Sequence, residues 1–137
     1  MAALASVKSG LDLINLGPLM RRTEGHPEIV VGVIDGPADF AHAALSGASV
    51  RMVRPEHAPV CRSASSSACL HGTAIAGILF AKRGTPAPCL CPSCTVLLYA
   101  LFPEDSEDGG GLSATSPRAL ANAIVETVDA GARIVHI

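Results

Sequence analysis

The sequence is short of ring-bearing side chains. It has no Trp, one Tyr (Tyr99) and three Phe (Phe40, Phe80 and Phe102) in 137 residues. With 49% of residues apolar, the core must be aliphatic, built from Ala, Val, Ile and Leu. Charge of one sign is also missing: ten Lys and Arg face twelve Asp and Glu, for a net charge of −2. No basic cluster occurs beyond Arg21-Arg22, which argues against a nucleic-acid partner. No apolar run is long enough to span a bilayer, so no membrane partner is expected. Residues 1–10 lack a charged segment followed by an apolar one, which argues against a secretory signal and for the cytoplasm. The length allows one domain with a substantial core.

What is present is organised around Ile29-Val30-Val31-Gly32-Val33-Ile34-Asp35-Gly36-Pro37. Five β-branched residues interrupted only by Gly32 predict a strand buried on both faces, as in a parallel sheet. The run ends in a carboxylate, and Gly36-Pro37 stops it. An acid at the carboxyl end of a central parallel strand stands where open α/β sheets place ligands and catalytic groups. Taken alone, Asp35 reads first as an acid that merely caps the next turn, and the second motif shifts that reading.

The second motif is Cys69-Leu70-His71-Gly72-Thr73, running into Ala74-Ile75-Ala76-Gly77-Ile78-Leu79-Phe80-Ala81-Lys82. The apolar run predicts a buried helix of about three turns with His71 at its start. The small residues Ala74, Ala76 and Gly77 let that helix pack close to a sheet. A histidine there by itself is a core residue; paired with Asp35 it reads as a general base oriented by a carboxylate.

An apolar strand ending Asp-Gly, followed by a helix opening His-Gly-Thr, resembles the subtilisin-like serine peptidases. Ile34 to Asp39, Cys69 to Thr73 and Cys91-Pro92-Ser93-Cys94 are most similar to the proteases and macrocyclases of cyanobactin-type peptide maturation. There a Cys also stands two residues before the His, and an Ala-Pro-x-Cys segment opens the next strand. The resemblance runs from about residue 11 to the end. It implies catalytic roles for Asp35 and His71, a peptide or precursor-peptide substrate, and no cofactor or metal. It also implies a three-layer α/β fold, mostly parallel, with helices on both faces. The family usually reads His-Gly-Thr-His, whereas this chain has Ala74. Its nucleophile lies in a Gly-Thr-Ser motif far downstream, and no such motif occurs here. Ser63, Ser65, Ser66, Ser67, Ser106, Ser113 and Ser116 lie in polar, loop-like stretches without the strained turn that exposes a nucleophile.

Residues 1–28 are therefore expected to be an extension with a short helix broken near Gly17, followed by a polar turn from Arg21 to Pro27. Residues 29–137 are expected to form the amino-terminal half of a subtilisin-like domain, incomplete as a fold. Asp39 to Leu45 predicts a brief helical turn, with His42 structural, and 48–53 a second strand. Residues 55–68 predict a loop, 95–101 a third strand, and 133–137 a final one. Ser116-Pro117 predicts a capped helix start and Gly131 its end. Leu120, Ala123, Ile124, Thr127 and Val128 make its apolar face. The alternation of strands and helices independently argues a parallel sheet.

Gly110, Gly111 and Leu112 match a segment that pairs with extended substrate in the resembling enzymes, so substrate binding is expected there; a flexible surface loop is the other reading. The acidic run Glu104 to Asp108 reads as solvated, with a preference for basic substrate as the sharper reading. The five cysteines admit free thiols, disulfides such as Cys61–Cys69, or zinc held by Cys89, Cys91 and Cys94 with Cys69 or His71. Two functions follow. One is a serine endopeptidase or transpeptidase part, inactive alone and completed by a Ser-bearing segment or chain. The other is a non-catalytic peptide-binding remnant or a subunit of a split peptidase.

Overall fold

The computed structural model describes residues 10–55, 61–104 and 114–137. Four strands form one sheet: β1 (Val30–Asp35), β2 (Ser49–Met52), β3 (Thr95–Ala100) and β4 (Ile134–His136). Their spatial order is β2-β3-β1-β4 and every pairing is parallel. β1 is central, running beside β3 from Val30↔Thr95 to Asp35↔Ala100 and beside β4 from Val31↔Ile134 to Val33↔His136. That position accounts for its unbroken apolar run, since neither face meets water. Val31, Val33 and Ile34 are all buried.

Four helices accompany the sheet: α1 (Gly10–Leu13), α2 (Gly17–Arg22), α3 (Ser67–Phe80) and α4 (Pro117–Asp129). Alternate residues of a strand face opposite sides, and the two long helices divide accordingly. Val31, Val33, Val96 and Leu98 pack with Ala76 and Phe80 of α3. Gly32, between them in sequence, faces α4: a Cβ on it would stand 2.3 Å from Thr127 Cγ2 and 3.1 Å from Ala132 Cβ. The result is the expected three-layer α/β fold, with helices on both faces of a parallel sheet.

The break near Gly17 falls between α1 and α2. Arg21 and Arg22, expected in a polar turn, are the last residues of α2, whose Thr23 N–H donates to Leu19 O at 3.2 Å. α4 starts as its sequence dictates: Ser116 Oγ accepts from Ala119 N at 3.1 Å, with Pro117 at the first position. Gly131, at φ +104°, follows its end. Val128 is a correction. It was assigned to the apolar face but is half exposed, because the buried line runs through Ala123 and Thr127 and one further residue turns about 100° away.

α3 departs further from expectation. It begins at Ser67 rather than near His71, so the expected loop over 55–68 is too long by its last two residues. Ser66 caps the helix, accepting from Cys69 N at 3.2 Å. His71 accordingly sits one turn inside the helix, not at its start. No helix among the described residues is long and apolar enough to cross a membrane.

Candidate active site

Asp35 closes β1 and is almost wholly buried. Its backbone carbonyl accepts from Leu101 N (2.8 Å) and Phe102 N (3.2 Å), which ties the carboxyl end of β1 to the chain leaving β3. Its Oδ1 accepts from Gly36 N at 2.6 Å and pairs with His71 Nδ1 at 2.8 Å. The imidazole side chain is 54% exposed against 8% for the carboxylate. A proton on Nδ1, held by the carboxylate, leaves Nε2 as the acceptor on the wetter side of the ring, the arrangement a general base needs. Asp35 and His71, 36 residues apart, are therefore brought together as the sequence predicts.

Two glycines set that distance. A Cβ on Gly72 would lie 2.3 Å from Pro37 O and 2.9 Å from Gly36 O; one on Gly36 would lie 2.6 Å from Ala68 O. All three are backbone atoms, which cannot swing aside. The α3 backbone thus lies directly against the turn that ends β1, and only hydrogen at both positions permits it. Sequence reasoning credited close packing to Ala74, Ala76 and Gly77. Ala76 is buried, but Ala74 is exposed, and a Cβ on Gly77 would meet only Ala87 Cβ at 3.8 Å. Thr73 adds a further tie by accepting from Asp39 N at 2.9 Å.

The approach to α3 is pinned from outside. Cys61 and Cys69 are disulfide-bonded, so the free-thiol reading is corrected for these two; Cys89, Cys91 and Cys94 are free. The zinc reading fails because its parts are engaged elsewhere. Cys69 sulfur is bonded to Cys61, His71 Nδ1 is on Asp35, and Cys89 Sγ donates to Ala87 O at 2.8 Å. Glu104, read as part of a solvated acidic run, instead accepts from Arg62 N (2.7 Å), Ser63 N (3.3 Å) and the Ser66 hydroxyl. The Ser66 hydrogen bond, followed by those from Arg62 and Ser63, holds the Glu104 carboxyl below its ordinary range. A carboxylate beside the first turn of α3 also complements the helix dipole. Nothing in the local sequence marks Glu104 for this role; its partners lie about 40 residues upstream. Gly110, Gly111 and Leu112, expected to bind substrate, lie outside the described residues.

Beside His71, α3 presents an apolar wall. Leu70, Ala74, Gly77 and Ile78 line a hollow of about 400 Å³ with Leu45 and Pro88, and His42 stands at it. His42 Nδ1 accepts from Ala44 N at 3.2 Å.

The parallel α/β sheet, with helices on both faces, is of the subtilisin-like class of fold. Solved structures similar to this chain include cyanobactin maturation proteins of that class. A point mutant of the protease domain of PatA is 32% identical with a TM-score of 0.70, over 82% of this chain and 38% of its own. The prenylagaramide maturation protease PagA is 30% identical with a TM-score of 0.65, over 89% and 38%. The PatG macrocyclase in complex with peptide is 20% identical with a TM-score of 0.69, over 97% and 50%, a likeness of fold. This chain therefore spans well under half the length of the PatA and PagA chains it matches. No family model and no curated protein matches it.

Proposed function

We propose that residues 29–137 supply the acid–base half of a subtilisin-like serine endopeptidase that processes a peptide, with a ribosomally made precursor as the intended class. The observation that carries this is the 2.8 Å bond from His71 Nδ1 to a buried Asp35 at the carboxyl end of the central strand. Asp35 fixes the imidazole and stabilises its protonated form. His71 takes the proton of a serine hydroxyl as that oxygen attacks the scissile carbonyl, then gives it to the departing amine. The acyl-enzyme passes to water, or to a substrate amine where a ring is to be closed. The serine comes from a complementary segment or chain, since the Gly-Thr-Ser motif is absent from the 137 residues. The exposed apolar wall of α3 supports such a partner: Leu70 is 56% and Ile78 38% exposed, and helices apolar all round are normally covered. Gly110, Gly111 and Leu112 are the proposed docking edge for extended substrate. A cytoplasmic location belongs to this proposal, and the Cys61–Cys69 bond weighs against it, because disulfides persist in oxidising compartments.

The test is labelling by a fluorophosphonate, which traps activated serines. The chain alone should stay unlabelled. Mixed with a serine-bearing segment of the PatA type, the segment should label. Asp35→Asn in this chain should slow that labelling by a factor on the order of 10⁴, the scale of a triad left in the wrong tautomer. An assembled but unlabelled pair would leave the peptide-binding remnant as the answer.

A further inference from the structure

The cysteines that the site leaves unused meet at the opposite end of the sheet. Cys91-Pro92-Ser93-Cys94 forms a tight turn just before β3, closed by Cys94 N donating to Cys91 O at 3.0 Å. Gly25, at φ +86°, lies against it. A Cβ there would stand 2.4 Å from Cys94 Sγ and 3.3 Å from Cys91 Cβ, so both cysteine side chains crowd one point. Burial first, then the neighbouring Cys94, push the Cys91 thiol up to about 12.

No metal-binding set explains the pair. Cys89 Sγ is committed to Lys82 O (3.1 Å) and Ala87 O (2.8 Å). Among the described residues, the group of acidic, Cys and His ligand atoms close enough to share an ion is Cys61, Cys69 and Glu104, two of which are bonded to each other. Cys91 and Cys94 stand at the two ends of that turn, and both side chains border Gly25. Two thiols separated by two residues, with no third ligand, are placed for mutual oxidation.

We propose that Cys91 and Cys94 are a thiol–disulfide modification site, closed by a low-molecular-weight disulfide of the glutathione class. Cys91 is the half-buried member and Cys94 the buried one, which sets the order. Cys91 loses its proton to solvent and its thiolate attacks one sulfur of the small disulfide, expelling the other as a thiolate. Cys94, deprotonated in turn, attacks the Cys91 sulfur of the mixed disulfide and expels the second small thiolate. The protein loses two electrons and two protons, and the small disulfide gains them as two thiols. The new bond staples the turn on which residues 23–27 rest. Ser93 N donates to Glu24 O at 2.9 Å and Thr95 Oγ1 to Pro27 O at 2.7 Å. Arg83 reaches the same strap through Met20 O and, at 2.9 Å, Thr23 O. Oxidation therefore fixes the amino-terminal end of the sheet, away from Asp35 and His71.

The full chain, with Cys61–Cys69 oxidised, is equilibrated across a series of reduced to oxidised glutathione ratios, quenched in acid, alkylated and mapped by mass spectrometry. The expected product has Cys91 joined to Cys94 and Cys89 alkylated, so one of the three free thiols remains. Cys94→Ser should stop the reaction at a glutathione adduct on Cys91. The rate should rise about tenfold per pH unit above neutrality, as the protonated Cys91 demands. Pairing through Cys89, or Cys91 and Cys94 both alkylated at ratios that keep Cys61–Cys69 oxidised, would overturn the assignment. Mapping the unsubstituted chain gives this answer whether or not the variant folds.

Discussion

α3 and α4 cover opposite faces of the same sheet and are built by opposite rules. α4 has one apolar line, through Ala123 and Thr127, and shows Val125 and Val128 to solvent. α3 is apolar all round, exposing Leu70 and Ile78 while burying Ala76 and Phe80. α4 lies over the sheet as a cover, and its start is fixed locally, by a serine three residues from its partner. α3 opens on a like cap, Ser66, but its start is also tied by a disulfide, a carboxylate from beyond β3, and backbone contact with the end of β1. The helix that carries His71 is the one whose position is further restrained from outside. A hydrogen bond at 2.8 Å between groups 36 residues apart needs such restraint.

Gly72→Val should break this comparison most sharply. Gly to a larger residue usually strengthens a helix by up to about 1 kcal/mol. Here the added carbons meet the Pro37 and Gly36 carbonyls, which are backbone atoms, and overpacking of that kind costs roughly 1–3 kcal/mol or more. Urea unfolding should therefore show a net loss, and the His71 ring nitrogens should lose the Nδ1–H tautomer signature in ¹⁵N spectra. An unchanged midpoint would mean that α3 is free to move. On α4, Val128→Ala at a half-exposed position should stay within about 0.5 kcal/mol.

Thr127→Val tests the other helix with the opposite sign. Thr127 is fully buried, and its hydroxyl has no hydrogen-bond partner among the described residues. A near-isosteric side chain without the hydroxyl should stabilise by about 1 kcal/mol, read from the denaturation midpoint. Destabilisation would show that the hydroxyl is satisfied in solution.

Glu104→Gln should have the smallest effect, and one that depends on pH. The carboxyl of Glu104 is held below its ordinary value of 4.5, chiefly by Ser66, so folding favours its charged form. That contribution is complete above the unfolded value and fades as pH falls through the lower folded value. The variant should be less stable than the parent at neutral pH, and the gap should close in acid. Because the group is only partly buried, the gap should also shrink in salt. A gap that persists in acid would mean that the carboxylate charge is not what holds the loop.

Several parts of this arrangement are legible in one dimension because their causes are local. The unbroken β-branched run of β1 states that it is central, and Gly36-Pro37 states where it stops. Ser116-Pro117 and Gly131 bracket α4 by their own side chain and backbone preferences. Asp35 and His71 stand out as chemical types at motif positions. Glu104 gave no such sign. Its carboxylate looks like any acid in an acidic run until the chain folds and brings Arg62, Ser63 and Ser66 to it. Gly72 was visible only as part of His-Gly-Thr, and the nearby small residues drew attention that the packing does not support. The start of α3 was misplaced because its cap, Ser66, lies within a serine-rich stretch where any of four residues could serve.

The order of elements, the parallel sheet and the two polar residues of the site were fixed by the sequence of side chains alone, since periodicity, caps and chain stops act over a few residues. The pairing of Cys61 with Cys69, the Glu104 anchor and the contact of the Gly72 backbone with the end of β1 were decided only in three dimensions. The last two join groups remote along the chain, whose separation is set by the packing of the sheet against α3. The disulfide joins residues eight apart, and folding selects it among the pairings five cysteines leave open.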